Sequence, residues 1–201
     1  MYMDLTKTVK ALEKNLTPNN EMTLEKLHKA YDITTKLRSQ LISVIYEKEH
    51  FDVGNMKLAE QLSDGILEKS EVLLTINEPL SPLKELTASM QDHWIELIHA
   101  AIRKAAVEKK LPYFDKAFVW IEVITPKNSN NFQLWDTSNR AVNLIINNLK
   151  GIFFEDDNHR HMAFGVVGNW GEQGVTKIRI MSFDKIEQIT SGFLNLQFMR
   201  N

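Results

Sequence analysis

The 201-residue chain has no cysteine. That removes disulfide frameworks, thiol nucleophiles and cysteine-ligated zinc, and it leaves metal chemistry to oxygen and imidazole donors. The chain also lacks any apolar run near the roughly 20 residues needed to span a bilayer. Its first residues, MYMDLTKTVKALEKNL, carry charge through every turn and have no apolar segment of the signal-peptide kind. These absences predict a cytoplasmic protein with no membrane partner. There is no basic excess either: 24 Lys and Arg stand against 26 Asp and Glu, a formal charge of −2. Nucleic-acid proteins usually displace counterions with a basic face, so global charge lends DNA binding no support. No internal repeat, low-complexity tract, glycine-rich phosphate loop, Ser-His-Asp order or HExxH motif occurs. The composition, 43% hydrophobic and 25% charged, is that of an ordinary globular chain with room for one packed domain and an accessory piece.

The character of the sequence changes near residue 70, where helix-forming sequence gives way to β-branched and aromatic runs. The expected organisation is a helical segment over 1–70 and an α+β domain over 71–201. In the first, residues 4–16 read as a short helix, 22–49 as a long one with Thr23 as N-cap, and about 56–69 as a third. Leu27, Tyr31, Thr34, Leu37, Leu41, Val44 and Ile45 recur at steps of three and four, an apolar stripe that needs a cover. A piece of this size buries little by itself, so the stripe is expected against the rest of the chain, a second copy or another protein. In the second, strands are predicted over 72–77 and 116–125, and helices over 83–109 and 139–150. The later helix is capped by Ser138 and stopped by Gly151. The runs GIFF, HMAFGVV and VTKIRIMSF read as strands, the last two joined through GNWGEQG as a hairpin. The fold class is α+β, with a mixed or antiparallel sheet and flanking helices.

Carboxylates are concentrated on either side of the helix at 139–150: Asp136 before it, and Glu155, Asp156 and Asp157 beyond it. Like charges this close repel unless a cation or proton neutralises them, which gives a divalent metal a reason to bind. Each also has a plain structural reading, Asp136 as a carboxylate favoured at a helix N-terminus and EDDN as a polar turn. Trp135-Asp136-Thr137-Ser138-Asn139 opens the helix; Leu149-Lys150-Gly151 and Phe154-Glu155-Asp156-Asp157 follow it. On these residues the chain resembles the RusA family of Holliday-junction resolvases. That family's signature is Asp-x-Asp-Asn, a Lys three residues after the Asn, an Asp four after the Lys, and an Asp-Asp pair after a short strand. Asp136 falls on the first Asp, Asn139 on the Asn, and Asp156 and Asp157 on the pair, without a gap. The match runs over about residues 72–183.

The resemblance implies a RusA-like domain in which Asp136, Asp156 and Asp157 are both catalytic residues and ligands for Mg2+ or Mn2+. It implies a homodimeric, structure-specific endonuclease that cuts branched DNA, with Asn139, Arg140, Lys150 and Arg160 toward the DNA. Two signature types are replaced: Ser138 stands for the second Asp, Val142 for the Lys and Ile146 for the helix Asp. Arg140 or Lys150 is then the candidate substitute for the absent lysine. Val142, Ile145, Ile146 and Leu149 instead form an i, i+3, i+4, i+7 stripe, as if that face had become core. The alternative expectation follows from this: a catalytically degenerate RusA-fold protein, of phage origin by analogy with such proteins, that binds another protein through Leu27, Leu37, Leu41 and Ile45 of its N-terminal helices. Three weaker constellations complete the reading. Asp157, His159 and His161 would share a face if that stretch were extended, Trp170 is placed to stack on a base, and His93, Trp94 and His99 lie on the long helix.

Overall fold

Ala117, Val119, Ile121 and Val123 are buried on one face, while on the other Phe118, Glu122 and Ile124 are half-buried and Trp120 is 41% exposed. A strand with one face fully buried and the other partly so belongs inside a sheet, with a neighbour on each edge. The computed structural model describes residues 2–16, 23–51, 57–83, 86–107, 109–126 and 141–186. In it this strand, β3 (Ala117–Pro126), has β4 (Met162–Gly171) parallel on one side and β5 (Val175–Ser182) antiparallel on the other. β1 (Ser63–Glu68) and β2 (Glu71–Ile76) complete the sheet in the order β1-β2-β5-β3-β4. The protein is therefore α+β with a mixed five-stranded sheet and flanking helices.

The chain divides into two units, one of residues 1–56 and 85–93 and one of 57–84 and 94–201. In the first, α1 (Tyr2–Leu16) and α2 (Leu24–Phe51) are tied where Thr8 Oγ1 donates to Gln40 Oε1 at 3.0 Å. Thr23 caps α2 as expected, its Oγ1 accepting from Lys26 N at 3.3 Å. Among the described side chains of α2, Ala30 and Ile42 are buried, whereas Leu27, Leu41 and Ile45 are exposed and Leu37 is half-buried. Among the described residues of this unit, the stripe is therefore left largely exposed.

In the second unit, α3 (Lys57–Leu62) ends early, and the third helix expected over 56–69 is instead a helix followed by a strand. Ser63 and Gly65 face inward while Asp64, Ile66 and Glu68 are exposed, an alternation with the period of a strand. The turn to β2 is made by Lys69 and Ser70, with φ of 45° and 65°. Both central residues of a type I′ hairpin turn need positive φ, normally signalled by Asn-Gly, and that signal is missing from this sequence. The sheet accordingly starts at Ser63, ahead of the change in composition near residue 70. Lys104 secures the junction, its Nζ donating to Glu60 O at 2.6 Å and Ser63 O at 2.7 Å.

α4 (Ala88–Ala105) is shorter than the helix expected over 83–109 and begins after Thr87, whose Oγ1 accepts from Met90 N at 3.3 Å. Trp94, Leu97, Ile98 and Ala101 are fully buried, and the indole N–H of Trp94 donates to Ser81 Oγ at 3.3 Å. α5 (Val142–Leu149) connects the parallel strands β3 and β4, as such a pair requires a crossover. Two expectations about this region fail. GIFF is a turn at residues 151–153 with a single bridge between Lys150 and Phe154, not a strand. β4 and β5 do not form a hairpin: Gly171 stands beside Pro126 and Val175 beside Ile124, so residues 172–174 carry the chain over the end of β3. A turn-like linker is compatible with either path, and here β3 lies between β5 and β4. Among the described residues no helix is long and apolar enough to cross a membrane.

Candidate functional site

The acidic cluster is built on the exit from α5. Val142, Ile145, Ile146 and Leu149 anchor the helix in the core, with exposures of 7% at Val142 and 4% at Ile146. Val142 and Ile146, where the resemblance would place a lysine and an aspartate, are core positions. The helix starts after Ala141, which gives no side-chain cap; the expected cap Ser138 lies outside the described residues. At the other end Gly151 takes φ of 77°, and its N–H donates to Phe154 O at 2.7 Å. Phe153 and Phe154 are fully buried, and Phe153 O accepts from Phe114 N at 2.8 Å. Pinned in this way, the chain turns outward at Glu155, and the polar run that follows lies on the surface.

Lys150 and the acids meet there. Lys150 Nζ is hydrogen-bonded and ion-paired to Asp156 Oδ1 and lies 3.5 Å from Asp157 Oδ1. Asp156 Oδ2 accepts from Asn158 Nδ2 at 2.7 Å. These partners hold the Asp156 carboxyl well below the usual carboxylate range, the Lys150 ammonium first and the Asn158 amide second. Lys150 is raised above the usual lysine value, chiefly by its bond to Asp156. Glu155 approaches His161 instead, with Oε2 3.7 Å from Nε2, a pair that is charged only when the histidine is protonated.

Asn158, which sequence reading passed over as part of a turn, organises the loop. Its Oδ1 accepts from Arg160 N at 2.9 Å, and its backbone O accepts from His161 N at 3.1 Å and Met162 N at 3.0 Å. Asn in a run of polar residues was the available signal, because its side chain mimics a backbone turn. The loop also settles the Asp157, His159 and His161 constellation: 157–161 is a turn, not an extended strand, so the alternate-residue spacing does not put these side chains on one face.

The sequence-expected site residues are thus divided. Asp156, Asp157 and Lys150 come together, and Arg160 is exposed on the same turn. Asp136, Asn139 and Arg140 lie outside the described residues. Among the described residues no three His, Asp or Glu side chains form a group able to hold a metal ion. Chemically, Asp156 and Asp157 offer adjacent oxygen donors with one ammonium already between them, a donor set suited to a hard cation rather than a soft one. Trp170 is partly exposed at the end of β4, and Trp94 is fully buried. When the chain is compared with protein-family models, curated proteins and solved structures, none of them matches it.

Proposed function

We propose that this chain is a RusA-like, divalent-metal-dependent endonuclease that acts on branched DNA as a homodimer. The observation that carries the reading is Lys150 with its Nζ at both Asp156 and Asp157. An ammonium beside paired carboxylates is the combination that phosphate hydrolysis uses, acids to hold a cation and a lysine to meet the charge that develops on the phosphate. Here Lys150 takes the part of the lysine replaced by Val142. Mg2+ or Mn2+ would be held by Asp156 and Asp157 together with Asp136, and it would supply activation of water. Asn139, Arg140 and Arg160 would face the DNA backbone.

A second reading is favoured by the burial of Val142 and Ile146. A helix face turned to core leaves the acids without two family partners, and the ammonium already neutralises part of their charge. On that reading the domain is catalytically silent and the chain works by binding a protein through Leu27, Leu37, Leu41 and Ile45. A cleavage assay on a synthetic four-way junction, with and without Mg2+ or Mn2+, separates the two. The nuclease reading expects metal-dependent cutting that Asp157→Asn abolishes. Absence of cutting by the wild type, followed by its appearance in Ser138→Asp, supports the silent domain. If neither chain binds divalent metal or branched DNA, both readings fail.

A further inference from the structure

The outward side of β1 is met by ammonium groups along its length. Leu62 O accepts from Asn77 N at 2.7 Å, and in the register of β1 and β2 this directs the backbone groups of residues 64, 66 and 68 toward β2. Ser63, Gly65 and Leu67 therefore turn theirs to the other side, where no strand lies among the described residues, β1 being first in the sheet order. Three lysines from outside the strand reach that row and its turn. Lys104 Nζ donates to Ser63 O at 2.7 Å, Lys109 Nζ to Leu67 O at 3.1 Å, and Lys185 Nζ to Lys69 O at 3.1 Å. The remaining outward residue, Gly65, donates its N–H to Asp64 Oδ1 at 2.8 Å. Lys104 lies in the last turn of α4 and Lys109 just beyond it, so the helix that Gly65 lets approach β1 also sends its side chains around the edge.

We propose that Lys104 and Lys109, with Lys185 at the turn, guard this edge and keep β1 from accepting a further strand. A strand added there needs the outward carbonyls of Ser63 and Leu67 as acceptors for its own N–H groups. The ammonium groups already hold both. Pairing must either strip each lysine from its carbonyl or trap a charge against the new strand, and burying an unpaired charge is expensive. The strand itself, SDGILE, carries no lysine, and Ile66 at its centre is 44% exposed. An apolar residue on an edge with available backbone groups is a template for aggregation, and lysine is a usual means of blunting one. Here the lysines come from neighbouring elements. The proposal is independent of the nuclease reading, since none of these lysines belongs to the acidic cluster.

The full chain is measured by sedimentation velocity across a concentration series, with far-UV circular dichroism as the check on folding. The readout is association beyond whatever state the wild type shows. Lys109→Met loses one bond at an exposed site and is expected to strengthen association about tenfold, the worth of one charged hydrogen bond no longer displaced on pairing. Lys104→Met with Lys109→Met is expected to associate more strongly still. Both variants are more negative than the wild type, so overall charge works against this result. Lys110→Met makes the same charge change at an exposed neighbour that does not reach the edge carbonyls, and it is expected to behave as wild type, as is Lys109→Arg, which keeps a cationic donor. Leu67→Pro added to Lys109→Met is expected to reverse the association, because the Leu67 N–H points outward: proline there removes no bond to β2 but bars an incoming strand. A folded Lys109→Met chain that associates no more than wild type overturns the proposal, whether or not the double variant folds. So do an equal rise in Lys110→Met or Lys109→Arg and association that survives Leu67→Pro.

Discussion

Replacing Gly65 by alanine should unsettle the second unit more than any other single methyl group. A Cβ at Gly65 would stand 1.9 Å from Ala101 O, 2.9 Å from Ala101 C and 3.0 Å from Ala105 N. All three are backbone atoms of α4 or its end, so no rotamer change relieves the clash. Ordinary contact begins near 3.4 Å, so strand and helix must separate by about 1.5 Å, the difference between 3.4 and 1.9. α4 is held there by fully buried Leu97, Ile98 and Ala101, and a gap of that size forfeits well over half of each dispersion contact across it. Overpacking usually costs about 1–3 kcal/mol, and a backbone obstacle puts this case near 3 kcal/mol. At roughly 2–4 °C per kcal/mol for a chain of this length, the midpoint should fall by roughly 6–12 °C in thermal melting. Gly151→Ala is the control: its φ is 77° but nothing lies within 4 Å of the added carbon, so only the left-handed backbone is penalised, by about 1 kcal/mol. Equal losses for the two variants would refute the close approach of α4 to β1.

Ser81→Ala leaves the buried Trp94 indole N–H without its acceptor and should cost about 1–3 kcal/mol in urea unfolding, with an unchanged m-value; a loss under 0.5 kcal/mol, taken as roughly the noise of a surface substitution, would mean that another group accepts. Lys104→Met keeps the apolar stem but loses the bonds to Glu60 O and Ser63 O, so a loss of about 1 kcal/mol is expected by the same measurement. The Asp156–Lys150 pair has a definite pH window. Asp156 has a folded value below its unfolded one, so its contribution is present above the ordinary carboxylate value of about 4 and is lost as pH falls toward the folded value. Lys150 has a raised folded value, so its contribution is complete below about pH 10 and is lost only as pH rises past that. The melting difference between wild type and Asp156→Asn should therefore be flat from pH 5 to 8 and shrink below about pH 4; a difference that faded between pH 8 and 6 would contradict the lysine pairing. On the nuclease reading, Mg2+ should raise the melting midpoint of wild type more than that of Asp156→Asn, and equal shifts would remove Asp156 from the ligand set.

What the sequence determined by itself is what local physics decides. Periodicity located α1, α2, β2 and β3 within a few residues, Thr23 was legible as a cap, and the 142–149 stripe foretold that Val142 and Ile146 would be core. The acid cluster was legible as residues, because charge and turn chemistry are written in composition. The tertiary structure decided what depends on competition between distant segments. β1 hid inside a helical reading, since its turn at Lys69 and Ser70 lacks turn residues and its strand form depends on pairing with β2 and on α4 reaching Gly65. The supposed β4–β5 hairpin was replaced by insertion of β3 between them, because no local signal states which strands become neighbours in a sheet. The partner of the acids was decided the same way. Buried Phe153 and Phe154 pin the turn after α5, and that turn brings the Lys150 ammonium back onto carboxylates six and seven residues further along.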